Sequence, residues 1–176
     1  MTNYFALLQQ PRKPWLDAEQ LKLKYHELAR GRHPELAMLN EAYRVLADPK
    51  LRLHHLLSLE GTPPSTAGQP VPDQLAKLFI EISTIVADVD RVLAQTTAAN
   101  NALTKSLLKA SILEQQRRLQ DVLARVRDLF DNALTELRPM DHPQQSLPQI
   151  ENAYHQLAYL TRWKDLLEER NFRLSI

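Results

Sequence analysis

Residues 17–46 read DAEQLKLKYHELARGRHPELAMLNEAYRVL, and this stretch decides how the first part of the chain folds. Asp17 is a residue type that caps helix N-termini, and apolar residues at helical spacing follow it: Leu21, Tyr25, Leu28 and Ala29. The helix should end near Arg32, because Pro34 disfavours helical backbone in the residue before it. The run from Leu39 to Leu46 has the same spacing and predicts a second helix. The stretch therefore predicts two paired helices joined by a short connection.

The connection lies at the end of a basic helix face. Lys22, His26 and Arg30 are four residues apart, so they form one polar stripe away from the apolar side of the first helix. A basic stripe that ends at the rigid, acidic tripeptide His33-Pro34-Glu35 (written below as the tripeptide) is typical of a binding surface. A merely solvated face is the alternative.

Prolines divide the rest of the chain into two parts. Asp48 and Pro49 suit the start of a third helix, and Gly61 suits its end. Four prolines and Gly68 then predict an extended linker at residues 62–72, which separates an N-terminal domain, residues 1–61, from residues 73–176.

The second part contains three long apolar runs at helical spacing. Asp73 is expected to cap the first, residues 96–101 form a polar break, Pro139 ends the second, and a loop containing Pro143 and Pro148 precedes the third. Strand-like alternation is absent from the sequence. We therefore predict an all-α protein whose C-terminal part is an antiparallel three-helix bundle.

The last helix predicts a second binding surface. Projected from Ile150, the side chains of Tyr159, Trp163 and Leu166 fall on the side opposite the expected core face. Clusters of exposed aromatic residues often mark binding sites. The same three side chains would also suit packing under the N-terminal domain or against a second copy of the chain, as in a homodimer.

The composition of the chain argues against several classes of partner and activity. A net charge of +1 argues against nucleic acid as a partner, and no stretch reaches the ~20 apolar residues of a membrane span, so no membrane partner is expected. The chain has no cysteine, no glycine-rich phosphate loop and no convincing metal-ligand spacing. We expect a cytoplasmic protein that is not an enzyme and holds no metal or cofactor.

The chain resembles the J-domain proteins and, within them, the HscB-type co-chaperones of iron-sulfur cluster assembly. The matching segments are residues 3–8, residues 23–30 before the tripeptide, residues 40–46, residues 48–52 and residues 56–61. The resemblance implies that the tripeptide engages the ATPase domain of a DnaK-type chaperone, while Lys22, His26 and Arg30 dock on its acidic surface. It also implies that an apolar patch on the C-terminal bundle holds the iron-sulfur scaffold protein. The candidate residues for this patch are Tyr159, Trp163, Leu75, Leu78, Phe79 and Ile82.

Two features depart from the family. Glu35 stands where the family has aspartate, which displaces the carboxylate by one methylene, and only six residues separate His33 from Asn40, where the family has a longer loop. The alternative is therefore a degenerate J-like adaptor, a helical interaction module or homodimer that no longer stimulates a chaperone.

Overall fold

The structure is a computed structural model, and it describes residues 2–30, 36–64, 71–140, 142 and 146–175. Every regular element within these ranges is a helix, which confirms the predicted all-α fold. The helices are α1 (Tyr4–Leu7), α2 (Ala18–Arg30), α3 (Leu36–Ala47), α4 (Pro49–Leu59), α5 (Asp73–Ala98), α6 (Ala102–Glu136) and α7 (Leu147–Ser175). No helix in the described ranges is both long and apolar enough to cross a lipid bilayer.

Local sequence sets several of the helix ends. The Asp17 carboxylate accepts a hydrogen bond from the Gln20 backbone N–H at 2.9 Å, and Asp48 caps α4 in the same way. Gly61 ends α4 with φ +80°, a left-handed conformation that glycine adopts without a Cβ penalty. Its backbone N–H donates to the Ser58 carbonyl, and that of Thr62 donates to the Leu57 carbonyl. These predicted ends of α2 and α4 are confirmed.

Two predicted ends are wrong. Pro72, not Asp73, occupies the N-cap position of α5, and no side chain caps this helix. The helix begins at Asp73, one residue earlier than predicted, so Asp73 lies in the first turn, where its charge complements the helix dipole. Pro148 was expected in a loop, yet it lies in the first turn of α7. Proline is tolerated there because the first backbone N–H groups of a helix have no intrahelical acceptor.

Tertiary contacts divide the chain into two compact units. Unit 1 comprises Met1–Gln69 and Asn132–Ala158, and unit 2 comprises Pro70–Asp131 and Tyr159–Ile176. Helices α6 and α7 therefore contribute residues to both units. The predicted division at residues 62–72 is a boundary in the sequence, whereas these two units are defined by contacts between residues.

Unit 1 has an apolar core with one arginine inside it. Its most deeply buried large side chains are Phe5, Leu8, Leu21, Leu39, Leu46, Leu53, Leu56, Leu57, Leu137, Ile150 and Leu157. Arg52 is only 4% exposed, and its guanidinium donates to the backbone carbonyls of Pro14 at 2.8 Å and Leu46 at 2.7 Å. Burial lowers the pKa of Arg52 to about 10, so the side chain stays charged at neutral pH. Arg52 thus ties the segment before α2 to the end of α3.

Unit 2 is built from α5 and from parts of α6 and α7. Arg118 of α6 pairs with Asp88 of α5 at 3.1 Å, and Arg125 pairs with Glu81. Since the α6 partner moves back along the chain as the α5 partner advances, the two helices are antiparallel. The ion pair between Arg127 and Glu168 joins α6 to α7. The core between the three helices contains Leu75, Leu78, Ile82, Ile85, Val89, Leu119, Val122, Leu123, Val126, Leu160, Trp163, Leu167 and Leu174.

Candidate protein-binding surfaces

The basic stripe lies on the exposed side of α2. Lys22, His26 and Arg30 are all exposed, whereas Leu21 is the buried residue of this helix. Their predicted exposure is confirmed. The stripe follows the spacing of the helix because a residue four positions on returns to nearly the same face.

Contacts between α2 and α3 hold the stripe in place. The Tyr25 hydroxyl donates a 2.7 Å hydrogen bond to Oδ1 of Asn40, and the Tyr25 ring stacks on the ring of Tyr43 with centroids 4.5 Å apart. Both partners come from α3. The predicted pairing of these two helices is therefore confirmed, and Tyr25 links α2 to Asn40 and Tyr43 of α3.

The tripeptide His33-Pro34-Glu35 lies outside the residues that the structure describes. Helix α2 ends at Arg30 before it, and α3 begins at Leu36 after it. Its role in chaperone binding stays a prediction from the resemblance.

His55 of α4 holds α1, a role that the sequence analysis did not identify. The side chain is 3% exposed, and its Nε2 accepts a 3.1 Å hydrogen bond from the Tyr4 backbone N–H. Its ring stacks on Tyr4 and Phe5 with centroids 4.6 and 5.8 Å apart. Burial and, more weakly, the charges of Arg12 and His54 lower the pKa of His55, which favours the neutral imidazole that this acceptor role requires.

A second surface in unit 2 contains three aromatic side chains. The rings of Phe79 and Trp163 have centroids 6.2 Å apart, and those of Tyr159 and Trp163 have centroids 5.7 Å apart. Phe79 is 45% exposed and Tyr159 is half-buried, whereas Trp163 is only 4% exposed. We call Phe79, Trp163 and Tyr159 the aromatic cluster. Phe79 and Tyr159 are its accessible members.

The expectation that Trp163 faces away from the core is wrong. The buried face of α7 differs between the units: Ile150 and Leu157 are buried in unit 1, and residues from Leu160 onward are buried in unit 2. Trp163 is three residues after Leu160 and four before Leu167, so it shares their face. The residues that α7 buries in the two units therefore do not lie on the single face that was projected from Ile150.

Three more candidate patch residues are core residues. Leu75, Leu78 and Ile82 are 1%, 8% and 2% exposed, and they pack in the core of unit 2. Their spacing matches the inward face of an amphipathic helix, so burial in the bundle accounts for their apolar character. As folded, they are not surface residues.

Within the described ranges, no three His, Cys, Asp or Glu side chains are grouped in a way that suits a metal ion. The first surface presents exposed cations on α2, and the second presents accessible aromatic rings on α5 and α7.

Comparison with known proteins shows that the chain is similar to HscB co-chaperones. No family model matches it. The co-chaperone protein HscB of Proteus mirabilis (strain HI4320) is 27% identical over 114 residues, covering 56% of this chain and 65% of that relative, just under two thirds of its length. The solved structure of the chaperone HscB from Vibrio cholerae matches with a TM-score of 0.65 and 20% identity, covering 98% of this chain and 99% of that one. The chain is thus similar in sequence to one HscB and shares the fold of another, which confirms the predicted resemblance to HscB-type co-chaperones.

Proposed function

We propose that the chain is a co-chaperone that binds a DnaK-type chaperone through its J-like part and presents an iron-sulfur scaffold protein bound to its C-terminal helices. The observation that carries this proposal is the exposed basic stripe on α2, in a chain with the fold of HscB. The same proposal gives the chain a role in binding and none in catalysing a reaction.

Electrostatics supports docking through α2. Neither Lys22 nor Arg30 forms an ion pair within the described residues, so their charges are available to a partner. Exposed cations accelerate the encounter with an acidic surface and lose this effect as salt screens them. The tripeptide follows the stripe after two residues in the sequence, so both would contact the same chaperone.

The aromatic cluster supports scaffold binding. Phe79 and Tyr159 offer ring surface to solvent, and the buried Trp163 lies between them as a fixed support. Aromatic side chains on a rigid base are typical of the residues that dominate binding free energy at protein interfaces.

Glu35 favours the second candidate function, a degenerate adaptor. A glutamate carries the same charge as aspartate but places it one methylene further out, which is enough to misalign a charge-assisted hydrogen bond to an arginine. In that case the J-like part binds without stimulating ATP hydrolysis, and the chain acts as a helical interaction module.

A single-turnover ATPase assay with the DnaK-type chaperone distinguishes the two functions. For a co-chaperone, we expect the unaltered chain to accelerate hydrolysis, His33→Gln to abolish the acceleration, and Lys22→Ala to weaken it most at low salt. Lys105→Ala is the matched control, because Lys105 is an exposed lysine of unit 2. No acceleration by the unaltered chain would favour the adaptor.

A further inference from the structure

The first half of α6 carries three leucines that the fold leaves exposed. Leu103 and Leu107, which we call the leucine pair, are each 72% exposed, and Leu113 is 66% exposed. Leu119 and Val126 are buried residues of the same helix, and they lie about 130° away from the leucine pair at 3.6 residues per turn. The core of unit 2 therefore does not account for the leucine pair.

Helix α7 contacts a different side of α6. The side-chain amide of Gln120 donates a 3.5 Å hydrogen bond to Oδ1 of Asn171. The side-chain amide of Gln116 donates to the hydroxyl of Ser175 at 3.3 Å. Gln116 and Gln120 project about 140° away from the leucine pair. Within the described residues, α7 thus leaves the face of the leucine pair uncovered.

The face around the leucine pair is uncharged over two helical turns. Ala110 follows Leu107 by three residues and extends the same stripe. No charged residue occurs from residue 92 to residue 104, a range that includes the end of α5. Lys105 and Lys109 project about 160° away from the leucine pair. The residues at the two edges of the stripe are also uncharged: Thr104, Ser106, Ser111 and Leu113. A strongly charged protein or an anionic lipid surface does not match such a stripe.

We propose that the stripe formed by the leucine pair and Ala110 is a homodimer interface, which packs against the same stripe of a second copy of the chain in antiparallel orientation. A two-fold axis between Leu107 and Ala110 places Leu107 of each copy opposite Ala110 of the other. A large side chain then meets a small one at both places, which lets the two helices approach closely. The uncharged edges bring no like charges together.

Glu114 gives this pairing its charge complementarity. In the same register, Glu114 of one copy lies opposite Leu103 of the other copy, in the first turn of α6. That turn has no acidic residue of its own, although the positive end of the helix dipole favours a carboxylate there. Glu114 forms no ion pair within the described residues, so its charge is available. Two-fold symmetry repeats the contact at both ends of the interface, so a second copy fits the stripe.

The test is analytical ultracentrifugation of the full chain over a concentration series. We expect a reversible monomer–dimer equilibrium. Leu107→Ala should weaken the dimer Kd by about tenfold or more, because each dimer contains the substitution twice, and Leu107→Glu should abolish the dimer. Glu114→Gln should weaken it less, and mainly at low salt. Leu23→Ala is the matched control, since Leu23 of α2 is an equally accessible leucine at 68% exposure.

Cross-linking tests the register, because the chain has no cysteine of its own. Under mild oxidation, a chain with Leu107→Cys should form a disulfide with a chain carrying Ala110→Cys, since a disulfide requires Cα atoms roughly 4.4–6.8 Å apart. Ala124→Cys is the control, because Ala124 is exposed further along α6. Preferential cross-linking of Leu107→Cys chains to each other would overturn the antiparallel register.

The possible results separate this interface from the proposed function and from the aromatic cluster, whose Phe79 lies about 28 Å along α5 from Ala98. Loss of the dimer in Leu107→Glu with unchanged thermal unfolding supports the interface. A monomer at every concentration overturns it and leaves the stripe to a different protein. A dimer that persists in Leu107→Glu but is lost in Tyr159→Ala also overturns it and assigns self-association to the aromatic cluster. None of these results bears on chaperone binding.

Discussion

At the scale of single residues, the protonation state of the His55 imidazole determines whether it can hold α1. Its Nε2 accepts the hydrogen bond from the Tyr4 N–H, and a protonated imidazolium has no lone pair for that bond. Arg12, which forms a 3.1 Å ion pair with Glu60, is a permanent cation whose charge acts on His55. A charged His55 would therefore lose an acceptor role and gain repulsion from Arg12.

We expect His55 to make the stability of the fold depend on pH. Its pKa in the folded chain is below the usual value of 6.5, so the unfolded chain binds a proton first as the pH falls. The contribution is fully present above pH 6.5 and is lost as the pH falls from there toward the folded pKa. The measurement is the free energy of unfolding between pH 7.5 and 5.

His55→Phe is the informative variant, because it keeps an aromatic ring and removes the titrating group. It should be less stable at pH 7.5, by about 1 kcal/mol for the lost hydrogen bond, and should lose less stability on acidification. His142→Phe serves as the control histidine variant, because His142 is exposed. An unchanged pH dependence in His55→Phe would show that another group is responsible.

At the scale of elements, α7 combines two roles along its length. Leu160, Trp163 and Leu167 face the core of unit 2, and Tyr159 lies next to this row with its ring against Trp163. Phe79 approaches Trp163 from α5. The buried indole therefore fixes two accessible rings that belong to different helices.

Phe79→Ala and Tyr159→Ala should each weaken binding of the iron-sulfur scaffold protein by about tenfold or more, because each removes an accessible ring from the aromatic cluster. Titration calorimetry with the purified scaffold protein measures the loss. Phe172→Ala is the matched control, since Phe172 is 66% exposed on α7 and is not a member of the cluster. Equal loss in all three variants would contradict a specific patch. Trp163→Ala is unsuitable as a test, because a buried tryptophan stabilises the fold by about 3–5 kcal/mol.

At the scale of the whole molecule, the J-like helices share unit 1 with residues 132–158. The Arg138 guanidinium lies 5.1 Å from the centre of the Trp15 ring, and the rings of His54 and Tyr154 have centroids 5.8 Å apart. The side chains of Leu137, Ile150 and Leu157 in this segment are fully buried. The first 69 residues thus depend on packing against a segment that is distant in sequence.

A fragment of residues 1–69 should therefore be much less stable than the same residues in the full chain. Each buried leucine or isoleucine contributes about 1.5–3 kcal/mol, and the loss of three is comparable to the whole stability of a small domain. Urea unfolding followed by circular dichroism measures the difference. The control is the full chain cut at a protease site placed in residues 65–70, which keeps both pieces present and should remain folded. An equally stable fragment would contradict the shared core.

Local sequence determined the helices and several of their ends, because capping depends on residues a few positions apart. Asp17, Asp48 and Gly61 act as their residue types predict, and the exposure of Lys22, His26 and Arg30 follows from helix periodicity. Tertiary structure decided which apolar residues remain accessible. The sequence placed Trp163 at the surface, yet α7 buries different faces in the two units, and the roles of His55 and residues 132–158 arise from contacts across long stretches of chain. Periodicity identifies a face, but burial depends on which neighbours the folded chain brings to it.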